Sequence, residues 1–129
     1  MNAALEFHDS EVSLIETTDD TIRLLFSAAY IHRSEGHPGR DPGAGYMQTA
    51  ELVFSGATWQ SLSPECSGYL YDGTLTINGE TLSLVPIPLS ATGNITANFS
   101  FLSGALSVSA SSVVCSISDE PRFVENYVR

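Results

Sequence analysis

Near the start of the chain stands His8-Asp9-Ser10, the three residue types of a hydrolase triad. In that chemistry a serine oxygen attacks, a histidine takes its proton, and an aspartate orients the histidine. Consecutive strand residues cannot build the constellation, because neighbouring side chains point to opposite faces. No G-x-S-x-G elbow occurs either. The structural alternative has Asp9 or Ser10 bonding backbone amides where a first strand turns into a second. The His-Asp doublet of metal-dependent phosphohydrolases needs further ligands from a helical bundle, and no window carries a sustained 3.6-residue apolar stripe.

A metal site would have to draw on His8, His32, His37, Asp41, Cys66 and Cys115. No C-x-x-C or H-x-x-x-H spacing brings two of them together locally. Both cysteines read as small core hydrophobes, and no basic neighbour is placed to lower either thiol's pKa. The carboxylates (Asp19-Asp20, Glu51, Glu65, Asp119-Glu120) show no pairing of the glycosidase kind. Gly43-x-Gly45 lacks the lysine and the strand–loop–helix context of a phosphate cradle. The sequence therefore assigns no catalytic residue, metal ligand or cofactor. What remains is a set of contact candidates. Tyr30, His32, Trp59, Tyr69 and Tyr71 are amphipathic rings suited to lining a small barrel's cavity; His8, Asp9 and His37 join them.

The elements that must position these residues are strands. In Asn94–Phe101, Ile95, Ala97, Phe99 and Phe101 share one parity and polar residues take the other. A turn at Ser103-Gly104 leads to Leu106, Val108 and Ala110. Beyond Ser111-Ser112 the parity flips to Val113, Cys115 and Ile117, which predicts a bulge or short break near Ser111. Asn78-Gly79 predicts a type I′ hairpin pairing Leu75 with Leu82, Thr76 with Thr81, and Ile77 with Glu80. Asp72-Gly73 is a second turn candidate, between Gly68–Tyr71 and Thr74–Ile77. Further strands are expected at Ala4–His8, Val12–Thr17, Thr21–Arg33 and Tyr46–Phe54. Pro64–Gly68 reads as a loop, and Pro86 and Pro88 confine Val85–Leu89 to an edge or irregular segment. Ser34–Gly45, with four glycines and two prolines, is either a contact loop or a solvated connection. The expectation is a single all-β domain over residues 1–129: an antiparallel β-sandwich or partly closed barrel of about eight to ten short strands with little helix.

Composition narrows the function classes. The 129 residues carry 15 acids against five arginines and no lysine, a net charge of −10, which argues against nucleic-acid binding. No apolar run approaches a membrane span, and the first ten residues lack the basic start and apolar core of a signal peptide. With two cysteines only, a cytoplasmic protein is expected. Residues 1–65 hold ten of the acids and three arginines, a net of −7 that suits a basic partner or serves general solubility. Thr81–Ser118 contains no charged side chain, so it is either an association surface or a Ser/Thr-rich solvated face.

Several short motifs carry a family likeness. Phe7-His8-Asp9-Ser10-Glu11-Val12 followed by Ile22–Phe26 resembles the "FHDSxV…LxF" opening of a group of small bacterial domains, some of them immunity proteins of polymorphic toxin systems. Leu70-Tyr71-Asp72-Gly73-Thr74-Leu75 resembles its "LxDGxL" element, and Pro88-Leu89 with Gly93 its "PLxxxG". Glu120-Pro121-Arg122-Phe123-Val124-Glu125-Asn126-Tyr127 resembles its closing "GExRFVExF". Ser118 and Asp119 stand where that ending has glycine, and Asn126 interrupts its acidic run. The resemblance implies a mostly β fold and supplies no catalytic residues.

Two functions follow as expectations. The first is a non-catalytic, immunity-like interaction module that binds a basic protein and forms a homodimer through Thr81–Ser118, with no nucleic-acid or membrane partner. The alternative is a small-ligand-binding or enzymatic β-barrel using the aromatic residues above.

Overall fold

The computed structural model describes residues 1–61, 67–102 and 104–129, and among these it contains nine antiparallel strands and no helix. The first three strands, β1 (Asn2–Thr18), β2 (Thr21–Ser34) and β3 (Gly43–Ser55), form a meander that the short β4 (Thr58–Ser61) follows. Then come β5 (Gly68–Ile77), β6 (Glu80–Leu82), β7 (Leu84–Ile87), β8 (Leu89–Phe101) and β9 (Ala105–Tyr127). Pairing runs β5–β8–β9–β3–β2–β1, and Glu11 and Val12 of β1 pair in turn with Tyr69 and Gly68 of β5. The strands thus return on themselves as a ring, the expected all-β antiparallel class. Outside the circuit, β6 extends β5, β7 lies along β1, and β4 lies along β9.

The ring closes around one core. The Phe7 ring sits edge-on to Phe99 at 5.3 Å between centroids and stacks with Phe26 at 6.4 Å. Each such ring removed from water stabilises the fold by roughly 1.5–3 kcal/mol. Phe7 packs over Gly73, where an added Cβ would lie 2.8 Å from the Phe7 side chain. The alternation read in β8 is borne out: Ile95, Ala97, Phe99 and Phe101 are buried.

The Asn-Gly hairpin has the predicted register, with Leu75 opposite Leu82, Thr76 opposite Thr81 and Ile77 opposite Glu80. Asn78 and Gly79 have φ of 50° and 87°, as a type I′ turn requires. The Thr76 and Thr81 hydroxyls bond across the pair at 2.9 Å. Pro86 lies on the edge strand β7, where its missing N–H is tolerated.

Other boundaries differ, mostly towards longer strands, and β4 was not expected from the sequence. Ala4–His8 and Val12–Thr17 are one strand, because the chain bulges between Glu6 and Glu11 instead of turning. Asp72-Gly73 is no turn; β5 runs through it with an irregularity against β8. The parity flip at Ser111-Ser112 lies inside the continuous β9, opposite a register shift in which β8 carries the extra residue between Thr92 and Ile95. The connection between β2 and β3 is residues 35–42, shorter than Ser34–Gly45, since both ends of that stretch are strand. The Pro64–Gly68 loop and the Ser103-Gly104 turn fall partly outside the described residues, although Phe101 and Gly104 bond to each other across the latter.

Candidate functional site

The bulge in β1 organises one end of the molecule. Asp9 has a φ of 70°, which turns its neighbours out of strict alternation. Ser10, fully buried, donates its hydroxyl to the Glu6 carbonyl at 2.6 Å and accepts the Tyr30 amide at 2.9 Å. It replaces ladder bonds lost at the bulge, the structural role foreseen for this triplet. His8 Nδ1 donates to the Tyr71 carbonyl of β5 at 2.8 Å; a carbonyl only accepts, so this nitrogen carries the proton. That bond, and then the Asp9 carboxylate, raise the His8 pKa above its ordinary value.

One expectation is corrected here. Consecutive side chains were expected to diverge, yet the bulge brings His8 Nε2 to 3.5 Å from Asp9 Oδ1. A triad still does not form, because Ser10 is buried and committed to Glu6 and Tyr30.

Beyond the bulge, directly opposed residues share one face of the sheet. Glu6 opposes Tyr30, His32 opposes Gly45, Gly45 opposes Glu125, and Gly43 opposes Tyr127. The glycines make room: a Cβ on Gly45 would collide with the Tyr30 hydroxyl. Over this gap Tyr30 donates to Glu125 Oε1 at 2.5 Å, Tyr127 donates to the same oxygen at 3.0 Å, and the two phenol oxygens touch. Burial, then the Glu125 carboxylate, hold the Tyr30 phenol protonated well above its ordinary range. Burial also raises Tyr127. The Tyr30 and Tyr127 hydroxyls in turn hold the Glu125 carboxyl below its usual range.

His32 lies inside this cluster, only 5% exposed. Its ring stacks on Tyr127 at 5.2 Å and meets Tyr30 edge-on at 5.1 Å. His32 Nε2 is 3.3 Å from Glu6 Oε1, and its buried Nδ1 has no hydrogen-bond partner. His32 also lines a cavity of about 290 Å³, with Glu6, His8, Asp72, Leu84 and Arg129 among its walls. The Arg129 guanidinium lies over the Tyr127 ring at 4.2 Å.

The other residues named from sequence are elsewhere. Tyr69 and Tyr71 are exposed on β5, and Trp59 packs on the core from β4. His37 sits in the β2–β3 loop, its amide bonded to Asp41 Oδ2 at 2.6 Å, and lines a larger cavity of about 810 Å³ that shares Gly39, Ser83 and Leu84 with the first. Of the proposed aromatic set, only Tyr30 and His32 meet. Glu6, Asp72, Glu125, Tyr127 and Arg129 were missed as site members. Strand parity places Glu6 and His8 together, but the partners from β5 and β9 emerge only from the ring's pairing. Among the described residues no group of three His, Cys, Asp or Glu side chains could hold a metal. Cys115 is buried and its thiol pushed up to about 12 by that burial, while Cys66 lies outside the described residues. Nor, among the described residues, is any helix long and apolar enough to cross a membrane.

No family model, curated protein or solved structure matches the chain.

The cluster yields a pH prediction. A carboxyl held below its unfolded value adds stability above that value, and loses it as pH falls through the folded value. The advantage of the native chain over Glu125→Gln in denaturation midpoint should be full above about pH 5 and shrink below the ordinary glutamate range near about pH 4.3. Urea titrations from pH 7 to pH 3 check this; a constant difference would mean that the Tyr30 and Tyr127 bonds do not favour the ionised form.

Proposed function

We propose that the chain is a non-catalytic interaction module that docks a basic partner at the cavity-bearing end of the ring. The carrying observation is the concentration of acids there: Glu6 and Asp72 line the cavity, Asp9 stands beside His8, and Glu125 lies behind His32. Such a field attracts and orients a cationic surface. The chemistry of the cluster supports binding rather than turnover. Ser10 is bonded on both sides, and Tyr30 is held protonated. An immunity-like role, neutralising a basic toxin, is the form of this reading that the motif resemblance favours.

A homodimer is the second part of the proposal. Opposed positions across β6, β5, β8, β9 and β4 place Thr81, Thr76, Thr96, Ser109 and Thr58 in one row. The adjoining row is Thr74, Asn98, Ser107 and Gln60. Two copies carrying −10 each meet with least repulsion on this uncharged wall.

Titration with an alternating Arg-Gly decapeptide, followed by amide chemical shifts, tests the docking end. Saturable shifts are expected around residues 4–9, 30–34, 70–73 and 125–129, weakening with salt. Asp72→Asn should weaken the complex by roughly tenfold. Shifts scattered over the whole acidic surface would contradict the assignment. For the dimer, light scattering should show association strengthening from low to moderate salt and weakening in Ser109→Glu or Thr96→Glu. A monomer mass up to millimolar concentration would end that part.

A further inference from the structure

We infer that Asn78 is a modification site, converted through a cyclic succinimide to an aspartyl or isoaspartyl residue, and that a clamp on β8 sets its rate. The inference goes beyond the docking reading and does not depend on it.

Three features of the hairpin tip define the chemistry. The first is the residue pair. Of the five asparagines, Asn78 alone precedes a glycine; the others precede Ala3, Ile95, Phe99 and Tyr127. Ring closure joins the following residue's amide nitrogen to the side-chain carbonyl carbon, and glycine puts no side chain beside that nitrogen. The second is access. Asn78 and Gly79 are exposed, and an added Cβ at Gly79 would meet nothing within 4 Å. The Gly79 amide has no hydrogen-bond partner among the described residues, so solvent can take its proton. The third is a restraint. Asn78 donates its main-chain N–H to the Asn94 carbonyl at 2.8 Å, and its Oδ1 accepts the Asn94 N–H at 2.8 Å. Its Nδ2 donates to the Thr92 carbonyl at 3.2 Å. Gly93, with a φ of 126°, makes the clamp possible, because a Cβ there would collide with the Asn78 carboxamide.

Water is the only co-reactant. Gly79 N, its proton lost to solvent, attacks Asn78 Cγ. The N–Cγ bond forms, the Cγ–Nδ2 bond breaks, and Nδ2 takes a proton from solvent and leaves as ammonia. Water then opens the ring at Cγ, giving aspartate, or at the main-chain carbonyl, giving isoaspartate. Expelling Nδ2 forfeits its bond to Thr92, so the clamp opposes the reaction. Asp72-Gly73 has the related spacing without the access. Gly73 is buried under Phe7 within β5, and Asp72 Oδ1 holds its amide at 2.9 Å.

Neither product remakes the clamp. Aspartate has no N–H for the Thr92 carbonyl, and isoaspartate adds a main-chain carbon that a two-residue type I′ turn does not accommodate. The new charge also lies against Thr92 and Asn94, inside the uncharged stretch that the dimer reading uses.

The test incubates the full chain in mildly alkaline buffer, folded and in urea, and maps peptides by mass spectrometry. In the folded chain, aspartyl and isoaspartyl products are expected at Asn78 and not at Asn2, Asn94, Asn98 or Asn126. Conversion should be several-fold faster in urea, and several-fold faster in folded Gly93→Ala than in the folded native chain. Gly79→Ala should slow it in both states. Asn78→Asp, which mimics one product, should unfold at lower urea than the native chain. No product at Asn78 in the folded chain once the urea sample is fully converted overturns the inference. So do equal rates in the two states, which need no variant to fold. On the dimer reading, Asn78→Asp also weakens association; a monomeric native chain would sink that reading and leave the modification site intact.

Discussion

Everything at the functional end depends on the buried hydroxyl of Ser10. A bulge breaks the β1–β2 ladder between Glu6 and Glu11, and the Ser10 oxygen bridges the break by taking the Tyr30 amide and giving its proton to the Glu6 carbonyl. A buried amide left without that acceptor would cost about 1–3 kcal/mol. The bulge also sets direction. Before it, β1 lies between β2 and β7; after it, β1 pairs briefly with β5 and closes the ring. His8 reinforces the crossing through its bond to the Tyr71 carbonyl. The His8-Asp9-Ser10 triplet is thus a joint between two sheet regions, and its likeness to a catalytic triad is incidental.

The same joint explains why an acidic cluster can exist here. With Tyr30 fixed at its amide, its phenol reaches over Gly45 to Glu125, 95 residues away in sequence. Glu125 is then solvated by two phenol donors, which suits the ionised carboxyl, while each phenol keeps its proton beside that charge. Glu6 and His32 form the parallel pair one step away. What the network leaves unmet is one buried ring nitrogen, His32 Nδ1, which has no hydrogen-bond partner.

Much of the architecture was legible because strand signals are local. Period-two alternation located β8 from Asn94 onward and β9 as far as Ile117, though not its continuation to Tyr127, and Asn78-Gly79 gave the hairpin and its register, since turn chemistry and hydrophobic pattern agreed. Bulges were harder. Asp72-Gly73 has the composition of a turn, but Phe7 packing over Gly73 favours a continuous strand, and that contact is non-local. The site was legible only in fragments. Tyr30 and His32 stand two residues apart, on one face of β2, whereas Glu125, Tyr127 and Arg129 join them through the β3–β9 pairing, which no local pattern encodes. Trp59, Tyr69 and Tyr71 were chosen by residue type alone, and their strands face them elsewhere.

The central claim is that Ser10 holds the ring and the site together, and native-state hydrogen exchange of the Tyr30 amide in Ser10→Ala measures it most directly. In the native chain this amide should exchange as slowly as those of the central strand around it. In the variant it should lose protection selectively, with the His32 ring resonances shifting as the Glu6–His32 pair moves. Unchanged protection of Tyr30, with His32 undisturbed, would contradict the account.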